Sequence, residues 1–150
     1  MPHTYASLLV HVVFSTKDRT RWVTPAFCGR LSAFIGGVAR NHNMGLLAAG
    51  GAHDHVHLLV RVPTSVSLAK CIQTIKAVSS KWLHETFSNF AGFAWQEGYG
   101  AFSIGISQVD ETVACIESQE EHHRRHTFEE ELISFLKKHD IEYDPRFVFG

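Results

Sequence analysis

The period of the apolar residues changes along the first 106 positions in an order that few folds accommodate: strand, helix, strand, strand, helix, strand. From Tyr5 to Phe14 the period is two, with Ala6, Leu8, Val10, Val12 and Phe14 on one face and Tyr5, Ser7, Leu9, His11 and Val13 on the other; this predicts a strand with one strongly buried face. Thr24 followed by Pro25 then supplies an N-cap and a first-turn proline, and Phe27, Leu31, Phe34, Ile35 and Val38 recur at helical spacing as far as Asn43 and Gly45. Leu46 to Ala49 reads as a short strand ending at a Gly50-Gly51 turn, and His55 to Val62 as its hairpin partner, closed by Pro63. Ser67 caps a second helix whose stripe is Leu68, Ile72, Ile75, Trp82, Leu83 and Phe87, and Phe93 to Trp95 and Ala101 to Ile106 read as two more short strands. This order is the split βαβ pattern: an antiparallel sheet with two helices on one face and the other face left free to bind.

Two further helices are expected after the sheet. Ser107 with Asp110 has capping-box spacing and opens a helix from about 108 to 125; Thr127 with Glu130 opens another, running to about His139. There is no repeat, linker or low-complexity segment, so the 150 residues, 45% hydrophobic and 19% charged, read as a single domain, 1–150, of the α+β class. No apolar run is long enough for a membrane span, and the N-terminal run, broken by Ser7 and His11, does not read as a signal peptide. Cys28, Cys71 and Cys115 are too few and too scattered for a disulfide framework or a metal knuckle, which predicts a cytoplasmic protein in a reducing compartment. Charge is lopsided: residues 1–109 hold nine Lys/Arg against four acids, residues 110–150 five against eleven. A basic body beside an acidic end is compatible with a polyanion groove, although the near-neutral total argues against a purely electrostatic nucleic-acid binder.

The chemistry-bearing residues are the eleven histidines, above all those in HDHVHLLVRV. Period two sends Asp54, Val56, Leu58, Val60 and Val62 to one face and His53, His55, His57, Leu59 and Arg61 to the other, so the imidazoles of 55 and 57 project side by side. Such a pair either presents two nitrogens to one divalent metal or is a solvated filler. A third ligand would have to come from the later helix, where Cys115, Gln119 and His122 or His123 share a face at spacings of four and three or four. A three-histidine site at 53, 55 and 57 is disfavoured, because three same-face strand positions span about 13 Å.

Taken in order, HVVFSTKDR, HDHVHLLV, GYGAFSIGISQVDETVACIESQEEHHRR and TFEEELISFLKKHDIEYDPRFV resemble the single-tyrosine HUH transposases of small bacterial insertion sequences, including the REP-associated tyrosine transposases. The resemblance implies a ferredoxin-like fold, a homodimer, recognition of single-stranded DNA hairpins, and Mg²⁺ or Mn²⁺ as cofactor. It maps the metal-binding His-hydrophobic-His motif onto His55 and His57 and the helical glutamine ligand onto Gln119. The reaction it implies is transesterification: a phenolate attacks a metal-polarised scissile phosphate, a 5′-phosphotyrosyl link forms and a 3′-hydroxyl leaves. Lys17, Arg19, Arg21, Arg61 and Lys76 are the expected nucleic-acid contacts.

The chain departs from the family at the nucleophile. Four residues before the glutamine, where the family places tyrosine, this sequence has Cys115. A thiolate is a good nucleophile, but its sulfur stops several ångströms short of a phenolic oxygen, and misplacement by about 1 Å can cost about a hundredfold. Three readings remain: strand cleavage is lost, Cys115 itself attacks, or another tyrosine, Tyr99 or Tyr5, substitutes. The first leaves a competing function in view, a non-catalytic module that holds single-stranded nucleic acid on an RRM-like sheet.

Overall fold

The computed structural model describes residues 4–119, 127–146 and 148. Four strands, β1 (Leu9–Ser15), β2 (Gly45–Ala52), β3 (His55–Arg61) and β4 (Gly100–Ile104), form one sheet in the order β2-β3-β1-β4, every neighbouring pair antiparallel. Helices α1 (Pro25–Asn41) and α2 (Leu68–Thr86) cover one face, and α3 (Val109–Glu117) and α4 (Phe128–Lys138) follow the sheet. This is the expected α+β split βαβ sheet with additional C-terminal helices.

The helix starts follow the local signals. Thr24 Oγ1 accepts from the Phe27 N–H at 3.2 Å, Ser67 Oγ from the Lys70 N–H at 3.1 Å, and Thr127 and Glu130 cap each other reciprocally. Alternate residues of the central strands, Val12, Phe14, Val56, Leu58 and Val60, pack against Leu31, Ile35 and Val38 of α1 and Ile72, Ile75 and Leu83 of α2.

The second face is not free. Leu9, Ala48 and Leu59 are covered by Ile116 of α3, and Val13 and Phe102 by Phe128, Leu132 and Leu136 of α4. Both faces of β1 are therefore buried rather than one. The strand also starts at Leu9; Tyr5, at 92% exposure, lies outside it. Gly50-Gly51 is not a turn: β2 runs through both glycines to Ala52, and the reversal falls at His53 and Asp54, with His53 at φ 41°. The reason is steric, because a methyl at Gly50 would collide with the Ile116 carbonyl oxygen where α3 crosses β2. Of the segment Phe93 to Trp95, only Trp95 pairs, in a lone bridge to Thr16. Ser107 does not cap α3; the Gln108 side chain instead accepts from the Gly105 N–H at 2.8 Å, closing a 3-10 turn ahead of the helix. The helix expected from 108 to 125 ends at Glu117, and its continuation, with His122 and His123, lies outside the described residues.

Candidate metal centre

His55 and His57 sit two apart on the central strand β3 and point to the face covered by α3 and α4. Neither is a solvated filler: both are 0% exposed, and Phe128 lies against the His55 ring. An imidazole buried this completely needs partners for both nitrogens. His55 Nδ1 donates to Asp54 Oδ1 at 2.8 Å, and His57 Nδ1 lies 2.9 Å from His11 Nε2 on β1. Each ring is thereby held at Nδ1, and its Nε2 is directed to a common centre.

Two further side chains reach that centre. Gln119, 1% exposed, donates from Nε2 to the Cys115 carbonyl and to Glu131 Oε1, both at 3.2 Å, which turns its Oε1 to within 3.4 Å of His55 Nε2. Glu131, from α4, brings Oε1 to 3.1 Å from His57 Nε2 and Oε2 to 3.8 Å from His55 Nε2. One nitrogen from each histidine and one carboxylate oxygen lie within 4.8 Å of one another. Because the His55 Nδ1 proton is committed to Asp54, its Nε2 lone pair faces an amide oxygen and a carboxylate. An amide oxygen and a carboxylate facing His55 Nε2 in a buried space call for positive charge there, which a second proton on the ring or a bound cation supplies. Glu131 Oε2, buried and without a hydrogen bond among the described residues, marks the same need. Two imidazoles, a carboxamide oxygen and a carboxylate fit a divalent ion of the Mg²⁺ or Mn²⁺ kind, with water completing the shell. Burial raises the Glu131 carboxyl, but hydrogen bonding to His57, the charges of His57 and His55 and the Gln119 amide outweigh it and hold the group well below the ordinary carboxylate range.

Sequence reasoning brought His55, His57 and Gln119 to one place and missed Glu131, Asp54 as orienter of His55, and His11. Glu131 carried a signal: it falls on the apolar side of α4, between Phe128, Leu132 and Phe135, as the one acid in that stripe. Cys115 stands one helical turn before Gln119, its Sγ 4.0 Å from Gln119 Nε2. Burial, then the charges of Glu131 and Glu111, push its thiol pKa up, away from the thiolate. Neither alternative tyrosine is near: Tyr5 is at the exposed N-terminal end, and Tyr99 lies beside Lys76 of α2, across the sheet from the histidines.

The expected nucleic-acid contacts divide. Lys17 and Arg19 border an open cleft of about 640 Å³ together with Gln96, Glu97 and Arg146, in a turn where Asp18 and Arg19 both have left-handed backbone, φ 57° and 54°. Arg19 also pairs with Glu129 of α4. Arg21 and Arg61 are exposed. Lys76 is used within the fold: its ammonium donates to the carbonyls of Gln96 at 2.8 Å and Gly98 at 2.6 Å and lies over the Phe14 ring, which ties the 96–98 loop to α2.

A split βαβ sheet with a His-hydrophobic-His pair on a central strand is the scaffold of the HUH class. Residues 4–119 match the family described as "Transposase IS200 like", and the chain belongs to that family of insertion-sequence transposases. It is 27% identical over 114 residues to the transposases for insertion sequence element IS200 of Salmonella typhimurium (strain LT2) and Salmonella typhi, the match covering 70% of this chain and 72% of each relative. Among solved structures, a putative transposase from Deinococcus radiodurans R1 shares the fold at TM-score 0.65 and 17% identity, covering 78% of this chain and 96% of that one. A REP-associated tyrosine transposase bound to a REP hairpin shares it at TM-score 0.54 and 16% identity, covering 77% of this chain and 68% of that one. No helix among the described residues is long and apolar enough to cross a membrane.

Proposed function

We propose that this transposase-family chain binds single-stranded DNA hairpins and retains a divalent-metal centre, but does not cleave, because Cys115 occupies the nucleophile position. The observation that carries this reading is the convergence of His55, His57, Gln119 and Glu131 one helical turn from a thiol that is shorter than a phenol and is pushed toward its neutral form by burial. A solved relative bound to a REP hairpin supports the choice of DNA. Lys17, Arg19, Arg21 and Arg61 are proposed as backbone contacts, the first two at the rim of the 640 Å³ cleft.

In this assignment His55 and His57, through Nε2, Gln119 through Oε1 and Glu131 through a carboxylate oxygen would hold Mg²⁺ or Mn²⁺. The ion, when bound, supplies Lewis-acid polarisation of a phosphate. The residues themselves provide a dry, prearranged cradle. Asp54 fixes the proton of His55, and the Gln119 amide is oriented by two hydrogen bonds. For a DNA phosphate to reach two imidazoles of 0% exposure, the cover over them, Phe128 of α4 included, must open. That α3 lies on its own sheet within the chain supports a site assembled in one protomer; the homodimer is proposed from the resemblance, and sedimentation of the purified chain tests it.

The functional test compares native protein with Cys115→Tyr on a single-stranded hairpin oligonucleotide with Mn²⁺. The thiol borders a cavity of about 90 Å³, lined also by His11, Phe102, Glu111 and Phe135, that can take part of a ring. Native protein should shift the hairpin without cutting it, and Cys115→Tyr should yield a covalent 5′ adduct and a free 3′-hydroxyl. Cleavage by the native chain through Cys115, or absence of hairpin binding, refutes the proposal.

A further inference from the structure

His11 lies on a buried strand face between Leu9 and Val13. It is 5% exposed, with its ring edge-on to Phe135 at 5.0 Å and its Nε2 2.9 Å from His57 Nδ1. An apolar residue would fill this place at lower cost, since a buried imidazole must be compensated by hydrogen bonds. What His11 supplies is an acceptor. For His57 to offer its Nε2 lone pair to a ligand, its proton must sit on Nδ1, and a buried N–H left without an acceptor is costly. Asp54 provides that acceptor for His55. Among the described residues the atom in place beside His57 Nδ1 is an imidazole nitrogen.

We propose that His11 is a positioning residue of the metal centre: its Nε2 accepts the Nδ1 proton of His57, fixing the ring and tautomer that turn His57 Nε2 toward Glu131, Gln119 and the ion. This rests on the reading of His55 and His57 as ligands. The two supporting acceptors differ in charge, a carboxylate behind His55 and a neutral ring behind His57, so His57 is the less basic ligand of the pair. The role demands an acceptor at this position and not a base, so a carboxamide oxygen should serve in its place.

Two measurements on the full chain test it. The first is the nitrogen-15 spectrum of the native protein saturated with Mg²⁺, which should show His57 protonated at Nδ1 and His11 protonated at Nδ1 with Nε2 bare; a proton on His57 Nε2 would overturn the proposal. The second is affinity for Mn²⁺ alone, by electron paramagnetic resonance. His11→Phe should bind about 10- to 100-fold more weakly than native, the range for loss of a partner behind a ligand, and His11→Gln should lose about threefold or less. Native-like affinity in His11→Phe overturns the role of His11 and leaves the metal centre standing. Failure of the native chain itself to bind Mn²⁺ removes the metal centre, and this inference with it. Should His11→Phe not fold, as thermal melting would reveal, the native spectrum decides alone.

Discussion

The placement of Gln119 depends on a missing methyl group. Gly50 on β2 is the register partner of His57, and α3 crosses the strand at that point with the Ile116 carbonyl oxygen against the glycine. A Cβ at position 50 would collide with that oxygen and lie 3.1 Å from the carbonyl carbon and 3.3 Å from Ile116 Cγ2. Two of the three atoms are backbone, so no rotamer relieves the clash and α3 has to move bodily, by about 1 Å. Overpacking of this kind costs about 1–3 kcal/mol. For a domain of this size, that lowers Tm by about 2–12 °C. Because Gln119 follows α3 by two residues, the same displacement carries its Oε1 away from His55, and Mn²⁺ affinity should fall about tenfold, equivalent to about 1.4 kcal/mol. Gly29→Ala is the control. It lies in α1 with nothing within 4 Å of the added methyl, so it should be neutral or stabilising by up to about 1 kcal/mol. Calorimetry and Mn²⁺ titration of both variants suffice as the assay. Gly50→Ala with native Tm and native affinity would refute the claim that the close approach of α3 builds the site.

Two other outcomes follow from the same geometry. Glu131→Ala should reduce Mn²⁺ affinity at least about tenfold while Ser134→Ala, on the exposed side of α4, leaves it unchanged; equal titrations for the two would remove Glu131 from the donor set. Acid should destabilise the fold. His11 is depressed to about 3 from an unfolded value of about 6.5, so its contribution is complete above pH 6.5 and is lost as pH falls toward 3, with a slope of at most about 1.4 kcal/mol per pH unit. Glu131, also depressed on folding, contributes above the unfolded carboxylate range and loses its contribution as pH falls below it, in the same direction. Urea melts between pH 7 and pH 4 should show falling stability, and His11→Phe should flatten the upper part of the curve; a native profile independent of pH would contradict both assignments.

The periodicity located β1, α1, β3 and α2 because each element buries a face against the same core, and a repeat in sequence is the direct image of such a face. It misplaced the end of β2 for a physical reason. Gly50-Gly51 is the usual signature of a turn, yet here the glycines answer to a helix from 66 residues further on, and no local rule registers a tertiary contact of that kind. The second sheet face was read as open for a related reason: the stripe Phe128, Leu132 and Leu136 declared that α4 buries something, but a stripe does not name what it is buried against.

Glu131 and His11 share one property that separates them from the other polar residues near the site. Each is a titratable group set into an apolar face, Glu131 between Phe128, Leu132 and Phe135 of α4, His11 between Leu9 and Val13 of β1. A solvated helix face or strand edge can carry charge at no cost, whereas a titratable group inside a buried stripe must be repaid by a partner. Both are repaid by the same residue: Glu131 Oε1 at 3.1 Å from His57 Nε2 and His11 Nε2 at 2.9 Å from His57 Nδ1. His57 is thus held from both ring nitrogens by two elements, α4 and β1, that have no other reason to be polar at those positions. The centre is therefore a property of the packing of α4 onto the sheet, and a change that loosens α4 reaches the metal ligands before it reaches the core beneath α1 and α2.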